Sequence, residues 1–158
     1  MKSTKSIKVY KGYASSFVFK INSLSSRFKK YTVRKFRKYN LGNSELIVIS
    51  LLGLTSTTKD EITIKDLSAA HWMDKTYMSR ACIRLISLGI LKKTNSLKDK
   101  RSHFLSLEPK GIKIFKKLNA VKKIRYSKLV SNFSNNEFKQ FNVLLDKLTA
   151  SSDFYLIK

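Results

Sequence analysis

The sequence predicts a mainly α-helical chain with a small β-wing: a winged helix-turn-helix lobe in mid-chain, set between helices from both chain ends. Three observations lead there. Between Thr63 and Gly111 the pattern is helix, turn, helix, charged hairpin, and the start of another helix. Both flanks carry apolar residues at helical spacing. Strand-like runs are confined to the short stretches Ile90-Leu91 and Ser102–Leu107, with a further short strand expected at Ile62.

In chain order, residues 1–12 are polar and basic. From Tyr13 onward Ala14, Phe17, Ile21, Leu24, Phe28 and Tyr31 follow alternating spacings of 3 and 4, a heptad-like seam on one long helix, which Val18 widens. A helix with such a seam needs a partner. Residues 1–40 hold no Asp or Glu, and two basic runs, Arg27–Lys30 and Arg34–Lys38, fit a solvated helix face as well as phosphate contacts. Asn40–Asn43 is a break. Ser44 is expected to cap a nearly all-apolar helix from Glu45 to Leu52, with Gly53 ending it.

The central lobe is the most informative. Thr63 with Asp66 three residues on forms a capping box that opens a short helix. After the turn His71-Trp72-Met73, Asp74 caps a second helix, Lys75 to Leu88, and Gly89 ends it. Met78, Cys82 and Leu85, at spacings of 4 and 3, make a buried stripe that sets the roll of this helix. The roll turns Thr76, Tyr77, Ser79 and Arg80 outward near the N-terminal end, where a recognition helix reaches base edges. Arg80 suits a bidentate guanine contact, and equally a structural pair with Asp99. Lys75 and Arg84 are placed to hold phosphates, which position a helix without reading sequence. Asn95–Arg101 is the polar, basic tip of the hairpin, where Lys98 and Lys100, with Lys92 and Lys93, add charge toward a DNA backbone. Trp72 reads as a wedge between the two helices, and Cys82 as buried packing.

Pro109 opens a long basic helix to about Val130, with Ile112, Phe115, Leu118, Val121 and Ile124 or Arg125 following helical spacing and Lys113, Lys116, Lys117, Lys122 and Lys123 on the other face. Ser134-Asn135-Asn136-Glu137 caps a last helix whose apolar face is Phe138, Phe141, Leu144, Leu145 and Leu148. The apolar tail Phe154–Ile157 is expected to pack across a dimer.

Composition narrows the partner. The net charge is +23, from 33 Lys+Arg against 10 Asp+Glu in 158 residues, which implies a polyanion. An A/T-rich genome would raise Lys but would not deplete Asp and Glu, so nucleic acid is the better explanation. A hydrophobic content of 42% supports one folded domain. A single cysteine excludes an internal disulfide and fits a reducing cytoplasm. There is no long apolar run, and the N-terminus is too polar for a signal peptide, so an intracellular protein without membrane association is expected. Nothing supports catalysis: the five glycines are isolated, the acids are scattered, and two histidines with one cysteine cannot build a usual zinc site. No cofactor and no metal are expected.

The run Asp66-Leu67, Asp74–Arg80, Leu85 with Leu88–Leu91, Asp99-Lys100-Arg101, Ser106-Leu107 and Lys110-Gly111 resembles the MarR family of bacterial transcription regulators. The spacing from recognition helix to wing Asp-x-Arg to the following Gly carries the resemblance. It covers the central third well, and the flanks agree in helical character. The chain departs from the family pattern at Glu108, where Thr is usual, and in the apolar Ile83, Ile86 and Leu88 of the recognition helix. The resemblance implies a homodimer that binds a pseudo-palindromic operator in double-stranded DNA. Residues 1–40 and 109–158 would then form the dimerisation lobe, with Phe17, Ile21, Leu24, Phe138, Phe141 and Leu145 at the interface, and residues 41–108 the DNA-binding lobe. Arg101 would be the minor-groove arginine, oriented by Asp99. A small aromatic ligand wedged between the lobes is the family's frequent means of control. The cysteine through which some members sense oxidants lies on the first helix, and this chain has none there. Two other readings compete. One is a global architectural binder of A/T-rich DNA, favoured by the surplus charge. The other is an RNA-associated basic protein, which would leave the wing without a purpose.

Overall fold

The computed structural model describes residues 16–55, 61–71, 74–95 and 103–152. The elements are α1 (Phe17–Lys35), a 3-10 turn (Arg37–Tyr39), α2 (Asn43–Thr55), α3 (Ile64–His71), α4 (Lys75–Ser87), β1 (Leu91–Asn95), β2 (His103–Leu107), α5 (Pro109–Val130) and α6 (Asn135–Ser152). The chain divides into two compact units, Met1–Asn119 and Ala120–Lys158, with the boundary inside α5.

In the first unit, the hydroxyl oxygen of Ser16 accepts the Phe19 N–H at 3.2 Å and caps α1. Tyr13 and Ala14 of the expected seam lie outside the described residues. Asn40, in the left-handed region at φ 51°, makes the break that follows the 3-10 turn. Helix α2 then starts at Asn43, before the position a Ser44 cap would give, and supplies much of the core through Leu46, Val48, Ile49 and Leu52.

Gly53 does not end that helix, which continues to Thr55. A Cβ at Gly53 would run into the Cγ, Cδ2 and Cε2 atoms of Phe115, so this glycine makes room for the Phe115 ring of α5 against α2. A glycine signals missing bulk as well as a helix end, and the local sequence does not separate the two. Ile62 is likewise not a strand residue. Its carbonyl accepts the Leu105 N–H at 2.8 Å, a single bond laid along β2.

The capping box at α3 is formed. The Thr63 N–H donates to Asp66 Oδ2 at 2.8 Å, and the Asp66 N–H donates to Thr63 Oγ1 at 3.3 Å. The C-terminus of α4 closes as a Schellman motif. Gly89 sits at φ 63°, its N–H donates to the Ile86 carbonyl and the Ile90 N–H to the Leu85 carbonyl, each at 2.9 Å. Leu85 and Ile90 are both fully buried, which anchors that turn on the core. Strands β1 and β2 pair antiparallel, from Leu91 opposite Leu107 to Asn95 opposite His103. Buried Leu91 and Leu105 root the hairpin, and Asn95 Oδ1 lies 3.0 Å from His103 Nδ1 across its described outer end. Ile114 and Leu118 of α5 complete the core of this unit.

The second unit is built on the end of α5 and on α6. Its capping box is also formed, with the Ser134 N–H donating to Glu137 Oε2 at 2.8 Å and the Glu137 N–H to Ser134 Oγ at 3.3 Å. An aromatic cluster ties the two helices: the Phe138 ring lies edge-on to Tyr126 at 5.9 Å and to Phe133 at 6.2 Å, and Phe141 lies 6.0 Å from Phe133. The tail Phe154–Ile157 lies outside the described residues.

Candidate nucleic-acid interface

Helix α4 is held at its start, along one side and at its end. At the start, Asp74 Oδ1 accepts the Thr76 N–H at 2.8 Å and the Tyr77 N–H at 3.4 Å, and these bonds hold the carboxyl below its usual range. Along the inner side Met78, Ala81, Cys82 and Leu85 are all buried, the predicted stripe with one alanine added. At the end, Lys110 Nζ donates to the Leu88 carbonyl at 2.7 Å, a cation where the helix dipole is negative. Gly111, beside it, lets α5 lie against Ile90, whose carbonyl oxygen occupies the space a Cβ would need. The Lys110-Gly111 pair therefore has a structural reason to follow the wing.

With the roll of α4 set in this way, Lys75, Thr76, Tyr77 and Arg80 are exposed, Tyr77 at 63%, and Ser79 is half-buried. Ile83 is also exposed, at 64%. At 100° per residue, Thr76, Arg80 and Ile83 fall on one line of the helix.

Arg84 is engaged differently from its expected role. Its Nη1 pairs with Glu45 Oε1 at 3.0 Å and its Nη2 donates to the Asn40 carbonyl at 2.6 Å. The guanidinium joins α4 to α2 and to the turn before it, and it covers a carboxylate whose side chain is only 11% exposed. Glu45 and Asn40 were not singled out from the sequence. The available signal was an acidic residue in an otherwise apolar helix, which burial obliges to find a cation.

Burial pushes the Cys82 thiol up to about 11, which makes it an inert packing group at neutral pH. Lys98, Asp99, Lys100 and Arg101, at the wing tip, and Trp72, in the turn, lie outside the described residues, so the expected pairing of Arg80 with Asp99 lies outside them as well. The exposed Lys92 and Lys93 lead out along β1 toward the tip.

A second cationic surface lies on the end of α1 and the 3-10 turn after it. Lys29, Lys30, Val33, Arg34 and Arg37 line an open groove of about 540 Å³. Nearby, Lys117 donates to the Tyr39 hydroxyl at 3.0 Å, and that bond lowers the tyrosine's pKa. Of the residues expected at a dimer interface, Phe17, Ile21 and Leu24 of α1 are exposed, and so are Phe141 and Leu145 of α6, while Phe138 is half-buried in its aromatic cluster. Among the described residues no group of three or more His, Cys, Asp or Glu is placed to hold a metal, and no helix is long and apolar enough to cross a membrane.

No family model matches the chain. It is similar to the HTH-type transcriptional regulator BilQ of Clostridium symbiosum, at 32% identity over 92 residues, covering 58% of this chain and 64% of BilQ. The match thus spans less than two thirds of that relative. Among solved structures it is similar to a MarR protein from Peptoclostridium difficile, with a TM-score of 0.80 at 19% identity, covering 98% of this chain and 97% of that one. It is also similar to S. aureus MepR in a complex with DNA, with a TM-score of 0.78 at 18% identity, covering 86% of this chain and 96% of that one.

Proposed function

Because the chain has the fold of the MarR-type transcription regulators, we propose that it is a homodimeric regulator that binds double-stranded DNA sequence-specifically, not an enzyme, and acts in the cytoplasm. The observation that carries this reading is the presentation of α4. A helix rigidly capped, pinned by Met78, Ala81, Cys82 and Leu85, and tied to α2 through Arg84 exposes Thr76, Tyr77 and Arg80 beside a hairpin. Such a helix enters the major groove, with Thr76, Tyr77, Ser79 and Arg80 at base edges and Lys75 on a phosphate. Arg84 serves mainly to hold the helix. The wing residues Lys98, Asp99, Lys100 and Arg101 reach the adjacent minor groove, where a narrow A/T-rich segment concentrates negative potential.

The dimer follows from apolar surface. Phe17, Ile21 and Leu24 on α1, and Phe141, Leu144, Leu145 and Leu148 on α6, are large apolar groups left exposed on a single chain. Pairing the ends of two chains covers them and sets two recognition helices roughly one DNA turn apart, so the preferred site is a pseudo-palindrome. Residues 1–40 and 109–158 would form the dimerisation lobe and 41–108 the DNA-binding lobe. Control by a small aromatic ligand between these lobes belongs to the same reading, and a thermal-shift screen for stabilising ligands that also release DNA tests it.

Selection of binders from a random duplex pool at near-physiological salt tests the function itself. Enrichment of a pseudo-palindrome is expected, together with a dimer mass in sedimentation. The net charge of +23 favours a second reading, an architectural binder of A/T-rich DNA. Enrichment of A/T content without a motif would support that one instead.

A further inference from the structure

Ile83 is a large aliphatic side chain, 64% exposed, on the outward line of α4 that also carries Thr76 and Arg80. Its neighbours on the same helix, Ala81, Cys82 and Leu85, are buried, so the exposure does not come from a frayed or badly seated helix. Surface helices place polar residues on this face as a rule. Here the exposed isoleucine stands between two arginines, Arg80 three residues before it and Arg84 one residue after.

We propose that Ile83 is a specificity-determining residue that reads a thymine in the major groove through the C5-methyl group. The inference rests on the DNA-binding reading above. An interface that attracts a polyanion through its cations offers an aliphatic side chain few favourable partners. Phosphates and the hydrogen-bonding base edges are all polar, and the thymine methyl is the apolar feature that the major groove displays. The spacing fits as well. Thr76 to Ile83 is seven residues, about 10 Å along a helix axis at 1.5 Å per residue, which is close to three base-pair steps of about 3.4 Å. Arg80 and Ile83 on one line therefore face neighbouring base pairs, the arginine suited to a guanine and the isoleucine to a thymine.

The test uses the full-length protein and the duplex it selects from a random pool. Each thymine in that duplex is replaced in turn by uracil, which removes the methyl and keeps the base pair. Covering one methyl group removes apolar area worth about fourfold in affinity. Wild-type protein is expected to lose about fourfold at one thymine per half-site, and Ile83→Ala to bind the thymine and uracil duplexes equally there. Ile83→Val, which keeps a branched aliphatic group, is expected to retain part of the discrimination, and circular dichroism and the melting temperature check that the variants fold. Equal wild-type binding of every thymine and uracil pair overturns the proposal while leaving the regulator reading intact. Undiminished discrimination by Ile83→Ala also overturns it, because another residue then reads the methyl. If no duplex is selected over random DNA, both readings fall together.

Discussion

Arg84 on α4 and Glu45 on α2 meet at 3.0 Å, and the same guanidinium donates to the Asn40 carbonyl at 2.6 Å. One side chain thus ties the helix that would enter DNA to the helix at the centre of the core and to the turn before it. The carboxylate is nearly buried and the guanidinium is 42% exposed, so the pair is worth less than a fully buried one and more than a surface contact. Arg84→Ala leaves the Glu45 carboxylate without its cation. The expected cost is about 1–3 kcal/mol in chemical denaturation. Glu45→Gln in the Arg84→Ala background should recover part of it, since a neutral amide is easier to leave buried. An unchanged denaturation midpoint for Arg84→Ala would show that the pair is only a surface contact.

Gly53 gives a prediction whose sign decides between two roles. As a helix-interior residue, replacement by alanine would gain about 1 kcal/mol from propensity alone. The added Cβ, however, meets the base of the Phe115 ring, not its flexible end, and overpacking of this kind costs about 1–3 kcal/mol. Gly53→Ala is therefore expected to lower the melting temperature, and Phe115→Leu in the same chain to restore part of the loss. A stabilised Gly53→Ala protein would mean that α2 and α5 lie further apart than described.

Arg80 separates reading of sequence from holding of phosphate. If it contacts a base, Arg80→Ala weakens the selected site by about 1–3 kcal/mol and leaves random duplex nearly unaffected. Equal loss on every sequence would assign it to the backbone. Arg101→Ala is expected to weaken DNA binding with the dimer intact, which sedimentation of the free variant checks.

The acid limb of stability follows from the caps. Hydrogen bonds from the Thr63 hydroxyl and N–H lower the Asp66 pKa, those from the Thr76 N–H and hydroxyl lower that of Asp74, and those from the Ser134 N–H and hydroxyl lower that of Glu137, each below its ordinary value of 3.8, 3.8 and 4.5. A folded pKa below the unfolded one means that the stabilisation is fully present above the ordinary value and is lost as pH falls through the lowered one. The melting temperature should therefore be insensitive to these groups at neutral pH and fall in acid. Asp74→Asn keeps a capping oxygen that does not titrate, so its melting temperature should fall less than that of wild type between about pH 5 and pH 2. Parallel curves for the two proteins would remove Asp74 from the acid transition.

Much of the fold was legible because its determinants lie within a few residues of one another. Thr63 and Asp66, Asp74 and Thr76, and Ser134 and Glu137 are local pairs, and the chain writes them as capping patterns before any tertiary contact exists. The Met78, Cys82 and Leu85 stripe is equally local, because a helical repeat fixes which side must be buried once one side is. Gly53 was misread for the same reason. Its local meaning is a helix end, while its actual role depends on Phe115.

From its sequence alone, then, this chain determined most of its helices, the caps of α3, α4 and α6, the inward side of α4 and its own cationic character, since each follows from composition or from a repeat shorter than two turns. Tertiary structure alone decided what Arg84 holds, why Gly53 lacks a side chain, that Ile62 lends β2 a single hydrogen bond, and that Ile83 stands exposed. Glu45 and Arg84 are 39 residues apart, and no local pattern links residues at that distance. Only the packing of α2 against α4 brings a buried acid to the face of α4 where an arginine can reach it.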